Sequence, residues 1–226
     1  TGTIEAATPT DRLLYAGVFA RPDAWRALDR LHRFDYILLT RRQDGDNRLL
    51  DVLDADSTWA LLFADDAATV YVRRVGPLAP IAARLGARPL PAGAAGLYEL
   101  GRAMATDTTL VTRVADALGA RAAGSPWNSR DLALLANVEL ARGQLAEAGG
   151  LLERALAVDP LLDRGHELLG MIALAGGRPQ EAITEFERQR AISPRMTGNA
   201  LGLGQAWQRL GDLRRGVVRE GSGHDV

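Results

Sequence analysis

Cysteine is absent from the 226 residues, which excludes disulfides, thiolate nucleophiles and zinc–thiolate sites. A chain without cysteine is equally at home in a reducing or an oxidising compartment, so the redox setting stays open. Lysine is absent too. All 27 basic residues are arginine, which fits the abundance of Ala, Gly and Leu as a compositional habit rather than a functional device. No charge of one sign dominates: the net charge is −1, and residues 1–90 carry 12 acidic and 12 basic residues. A nucleic-acid surface needs a clustered basic excess, and none is present. No apolar run reaches 18 residues, the length at which a segment becomes a candidate membrane span. The opening Thr1-Gly-Thr-Ile-Glu-Ala-Ala-Thr has no initiator methionine, basic patch or apolar stretch. It is no signal peptide, and the chain reads as a piece of a longer protein.

What is present is enough apolar material, 47% of residues, for packed cores, over a length that suits two domains. The strongest pattern has a period of 34. Gly143, Gly177 and Gly211 follow it, as do Pro126, Pro160 and Pro194, and Leu135, Leu169 and Leu203. Ala136, Gly170 and Gly204 form a fourth column, and Ala148, Ala182 and Gly216 a fifth. In a sixth, Leu145 and Leu213 flank Pro179. The spacing of Leu132, Leu135, Ala136 and Val138 predicts a helix over 131–142, which Gly143 ends by taking a left-handed conformation. A second helix over 145–158 carries Ala148, Leu152, Ala155 and Leu156 on one side and stops before Pro160. Helices over 164–175 and 179–192 repeat the plan. The third copy is partial: a helix over 198–210 caps the stack, and the rest dissolves into Glu220-Gly-Ser-Gly-His-Asp-Val.

These columns resemble the tetratricopeptide repeat (TPR) family over about residues 129–226. The matching residues are Leu135-Ala136 and Leu169-Gly170 in the first helix, Gly143 and Gly177 in the turn, then Ala148, Leu152, Pro160 and Ala182, Phe186, Pro194. The sequence departs from the pattern at the bulky residue that opens the first helix, which is Leu132, then His166, then Ala200. The resemblance implies a helical solenoid whose concave groove is lined by the first helix of each repeat. The family's contact places fall on Arg130, Ala133, Asn137 and Leu140, then Arg164, Glu167, Met171 and Leu174, then Leu201, Gln205 and Gln208. Such a mixed groove suits an extended peptide backbone or an acidic group. Ala133 stands where carboxylate-clamping repeats place a lysine, which speaks against a chaperone-type clamp. Upstream, helices over 95–105 and 108–121 are a degenerate repeat or an adaptor hairpin, since Thr109 replaces the turn glycine and Val114 the small packing residue.

Residues 1–90 have another texture. Leu13–Phe19 reads as a strand, Pro22–His32 as a helix opened by proline, Phe34–Thr40 as a buried strand and Arg48–Ala55 as a helix. Thr58–Ala64 and Ala68–Arg74 form a hairpin across Asp65-Asp66. The expected class is α+β: a small β-α-β-α-β-β sandwich with parallel strands and one antiparallel edge, followed by the TPR-like solenoid. Gly76-Pro-Leu-Ala-Pro and Arg88-Pro-Leu-Pro-Ala-Gly-Ala-Ala-Gly read as linker. The expected domains are 1–90, a linker and adaptor hairpin over 91–128, and repeats over 129–226. Phe34-Asp-Tyr-Ile-Leu-Leu, Trp59-Ala-Leu-Leu-Phe-Ala-Asp-Asp and Ala68-Thr-Val-Tyr-Val-Arg-Arg resemble the soluble C-terminal domain of bacterial polytopic membrane glycosyltransferases of the dolichyl-phosphate-mannose mannosyltransferase type. That resemblance implies an extracytoplasmic piece of a membrane protein. The catalytic acids of that family lie in membrane-embedded loops, so none transfers here.

No chemical constellation emerges. His32, His166 and His224 are far apart without a metal-ligand spacing, and His166 fills a packing position of the repeat. Asp44-Gly-Asp46-Asn47 lacks the glycine and glutamate of a calcium loop and reads as a capping turn. Asp65 and Asp66 on a hairpin tip point apart and read as solvated. Gly202-Leu-Gly204 lacks a third glycine and a preceding strand. Arg41-Arg42 and Arg73-Arg74 read as a solvated edge, with an anion contact as the alternative. No cofactor, metal or catalytic residue is expected. The expected role is a non-catalytic module binding a protein or peptide, with accessory service to a membrane glycosyltransferase's acceptor site as the rival. The partner would then be the membrane-embedded part of its own parent chain. The extracytoplasmic side is the expected location, with the cytoplasm left open.

Overall fold

The computed structural model describes residues 17–19, 21–41, 48–86, 90–194 and 197–221, with Thr197 and 212–221 described by backbone alone. It divides into two compact units, Thr1–Trp127 and Asn128–Val226.

In the first unit, α1 (Pro22–His32) opens with proline at its first turn and buries Ala24, Trp25 and Leu28. It stops at Arg33, whose N–H still bonds the Asp29 carbonyl while its left-handed φ of 48° turns the chain out of the helix. Then come β1 (Tyr36–Thr40), α2 (Arg48–Ala55), β2 (Trp59–Ala64) and β3 (Ala68–Arg73). The sheet order is β1-β3-β2, and both outer strands run antiparallel to β3. The expected parallel pairing is therefore wrong: β1 and β2 point the same way, but the hairpin strand β3 lies between them. The expected first strand fails as well where it can be seen. Residues 13–16 lie outside the described residues, and Gly17–Phe19 form a helical turn held by Arg21 N–H on the Gly17 carbonyl at 2.9 Å. The 44–47 turn also lies outside the described residues.

The alternation of β1 places Ile37 and Leu39 inward and Tyr36 and Leu38 outward. On the inner face α2 contributes Leu49, Leu50 and Leu53 to a core with Trp25, Trp59 and Tyr71. Trp25 stacks on Phe34 at 5.9 Å and tilts against Trp59 at 6.0 Å. The other face is partly closed by α3 (Ala79–Leu85), with Ala82 against Ala60 and Val72.

Residues 90–93, expected in a linker, are built into this unit. Leu90 and Ala92 are buried. The Asp54 carboxylate accepts from Ala92 N–H (2.8 Å), Gly93 N–H (2.7 Å) and the Tyr71 hydroxyl (2.7 Å). Asp51 accepts from Ala95 N–H at 2.8 Å, and Arg41 donates to the Ala92 carbonyl at 3.0 Å. Burial, then the Asp54 charge and hydrogen bond, hold the Tyr71 phenol far above its ordinary pKa, so it stays a neutral donor. The chain continues into α4 (Ala94–Met104) and α5 (Thr108–Ala123), the latter N-capped by Asp107 on Leu110 N–H.

The second unit holds α6 (Ser129–Ala141), α7 (Leu145–Val158), α8 (Gly165–Ala175), α9 (Pro179–Ile192) and α10 (Thr197–Gly221). The α6–α7 and α8–α9 turns are superposable in their bonding. Gly143 (φ 78°) and Gly177 (φ 71°) are left-handed. Gly143 N–H bonds the Leu140 carbonyl and Gln144 N–H that of Glu139. Gly177 does the same to Leu174 and Arg178 to Ala173. Both are Schellman closures, which satisfy the last carbonyls of a helix. Asp159 and Ser193 leave helical geometry just before Pro160 and Pro194. Ala148 and Ala182 are fully buried. A Cβ on Gly170 of α8 would meet the Phe186 ring of α9 at 2.7 Å, and one on Gly202 of α10 would meet it at 2.5 Å. Phe186 is thus seated between two glycines, and the two hairpins pack on small residues that fall on the 34-residue period.

The third copy departs from the expectation. The helix foreseen over 198–210 does not stop at Gly211 but runs on to Gly221. Leu152 and Phe186 anchor the second helix of the earlier copies, and the residue at that place in the third is Glu220. A chain folded back there would have no apolar knob to bury, so nothing compensates the turn.

Candidate partner-binding groove

The first helices of the three copies, α6, α8 and α10, are neighbours in that order, and α7 and α9 pack behind them. Each helix therefore has one face committed to packing and one left over. The column Ala136, Gly170 is buried, while the next residue in each copy, Asn137, Met171 and Gln205, is exposed on all three helices. A stripe with one period runs along the unit.

The other residues expected in the groove divide. Gln208 is exposed and Leu201 is 67% exposed. Arg130, Ala133 and Leu140 are half-buried. Leu174 is buried in the cluster with Ala182, Ile183 and Phe186 and is no groove contact. Glu167 is buried too. Its carboxylate accepts from Arg164 Nε at 2.9 Å and from a second guanidinium nitrogen at 3.2 Å, while its N–H donates to Gln189 Oε1 at 3.3 Å. Arg164 sits at the N-cap of α8 with a left-handed φ of 61°, and the Glu167 bond raises its guanidinium pKa. This pairing fixes the start of α8 and compensates the charge expected to attract an acidic group. The other exposed residues of the groove are neutral: the amides of Asn137, Gln205 and Gln208, the Met171 thioether and Leu201.

The other candidates for chemistry are structural. His166 Nδ1 lies 2.7 Å from Glu185 Oε2 across the α8–α9 hairpin. His32 is exposed against Phe34, and His224 lies outside the described residues. Asp65 is not solvated: it is buried and accepts from Ala67 N–H, Ala68 N–H and the Ser125 hydroxyl. The arginines after the strands are not a solvated edge either. Arg73 spans the Phe34 carbonyl, Asp29 and the Trp59 ring, and Arg74 donates to the Trp59 carbonyl. Arg41 donates to the Asp65 carbonyl, and Arg42 lies outside the described residues. Among the described residues no group of three or more His, Asp or Glu could hold a metal ion, and no helix is long and apolar enough to cross a membrane.

Sequence reasoning passed over Trp207, which is 53% exposed on α10. Its signal was available: its counterpart one period earlier is Ala173, a buried residue.

No family model and no curated protein matches this chain. Among solved structures it is similar to a crystal structure of MamA protein at 21% identity and a TM-score of 0.44, over 55% of this chain and 67% of that one. A second MamA structure is similar at 15% identity and a TM-score of 0.39, over 54% and 80%.

Proposed function

We propose that the repeat unit is a non-catalytic interaction module that holds a protein or peptide along the stripe Asn137–Met171–Gln205. The observation that supports this reading is the exposure of one repeat position on three successive helices, next to Ala136 and Gly170, which are buried on the first two. Asparagine and glutamine side chains can each donate to and accept from an extended backbone, and the flexible methionine between them adapts to varied side chains. The stripe therefore suits a neutral extended segment better than an acidic one. A photo-crosslinking residue placed at Asn137, Met171 or Gln205, in the protein as its source cell makes it, tests this. Adducts from those three positions and none from Glu153 or Glu187, exposed on α7 and α9, are the expected result. Equal labelling from both sets, or none from the stripe, contradicts the reading.

A second reading concerns the first unit, as an extracytoplasmic accessory domain of a membrane glycosyltransferase. Its support is the outer sheet face, where Tyr36 (56% exposed) and Leu38 (64%) lie bare on an edge strand, a surface able to pack on a larger body. The parent gene upstream of Thr1 decides: multiple apolar spans are expected there, and a free-standing start codon would sink the idea.

A further inference from the structure

We propose that α10 is a self-association surface, on which a second copy of this chain lays its own α10 antiparallel about a twofold axis. In the α8–α9 hairpin, the face of α8 that carries Gly170 and Ala173 is covered by an antiparallel helix, and the Phe186 ring of that helix sits on Gly170. One period later the corresponding face of α10 carries Ala200, Gly204 and Trp207. Because α10 runs straight past Gly211, no second helix of its own folds back over the described part of this face. Ala200 is exposed, a Cβ on Gly204 or Gly211 would meet nothing within 4 Å, and Trp207 is 53% exposed.

The face is complementary to itself. Gly204 and Trp207 lie one helical turn apart on the same side. An antiparallel twofold pair can therefore set each copy's Trp207 ring on the other's Gly204, as Phe186 sits on Gly170. The same register sets Ala200 opposite Gly211, two small residues that let the helices approach. This is an isologous contact, which closes at two copies. Charge does not oppose it: between Thr197 and Gly211 the one ionisable side chain is Arg209, and its guanidinium is engaged with the Leu174 carbonyl at 2.6 Å. The stripe residue Gln205 is outside the Ala200–Gly204–Trp207 row, so pairing and groove binding are compatible.

The test is sedimentation equilibrium on wild type, Gly204→Leu and Trp207→Glu, with far-UV circular dichroism as the control for folding. The Gly204 position is open in the single chain, so a leucine there fits the monomer while occupying the seat of the incoming Trp207. Wild type is expected to dimerise, and both variants to self-associate at least about tenfold more weakly, since aromatic anchors dominate such contacts. The absence of native cysteine allows a second readout: an Ala200→Cys chain mixed with a Gly211→Cys chain is expected to form a mixed disulfide on oxidation. A monomeric wild type, undiminished association of Gly204→Leu, or a dimer that yields no mixed disulfide each overturns the proposal.

Discussion

The two units solve the same problem with different means. In Thr1–Trp127 the distant parts of the chain are joined by charged side chains that grip backbone: Asp54 takes the amides of 92 and 93, Arg73 the carbonyl of Phe34, and Arg74 that of Trp59. In Asn128–Val226 the joints are apolar and repetitive, with small residues at close crossings and one ring between two glycines. A polar clamp of the first kind fails abruptly, because losing one member strands several buried partners. Packing of the second kind fails in proportion to the volume removed.

Substitutions separate the two modes of failure. The largest effect belongs to Phe186→Ala, which empties the seat between Gly170 and Gly202 and should cost about 3–5 kcal/mol, read as a lower urea midpoint of the repeat unit. Asp54→Ala comes next. It leaves the Tyr71 hydroxyl and two amides without their acceptor, and a loss of about 2–4 kcal/mol is expected. Limited proteolysis should then cut near residues 90–95 in the variant and spare that stretch in wild type. The smallest effect is at Asp107, whose carboxyl is held below its ordinary pKa by the Leu110 N–H at the start of α5. A depressed carboxylate stabilises above its unfolded pKa, and that contribution is lost as pH falls through the folded value. Asp107→Asn should therefore be less stable than wild type at neutral pH, and the gap should close in acid below the usual carboxylate range, about pH 4. A gap that persists unchanged in acid would show that the cap's charge plays no part.

The same contrast explains what was legible in the sequence. The start of α1, the end of α7, both bounds of α9 and the ends of α6 and α8 follow from local punctuation, since Pro22, Pro160, Pro179 and Pro194 and the two left-handed glycines fix helix ends through backbone sterics. The packing columns were legible because a solenoid writes its contacts at a fixed spacing. In the first unit the decisive contacts have no period. Asp54 reaches residue 92 and Arg73 reaches residue 34, so nothing local shows that 90–93 belongs to a core or that β3 takes the middle of the sheet. For the same reason Asp65 looked like a hairpin-tip charge although it is buried under Ser125. The stripe was legible only in part: repeat position names Asn137, Met171 and Gln205, whereas the pairing of Arg164 with Glu167 and the burial of Leu174 depend on neighbours in space. The long α10 was missed because Gly211 has the turn column's residue type, while the missing anchor lies nine residues further on at Glu220.

Adjacent residues of one helix serve opposite ends, Gly170 packing and Met171 the open stripe. Urea denaturation of Gly170→Leu beside Met171→Leu tests this most directly. Gly170→Leu must drive a side chain into the Phe186 ring and should cost about 1–3 kcal/mol or more, whereas Met171→Leu should stay within about 0.5 kcal/mol of wild type. Equal costs at the two positions, or a larger one at Met171, would contradict the division of α8 on which the proposed groove rests.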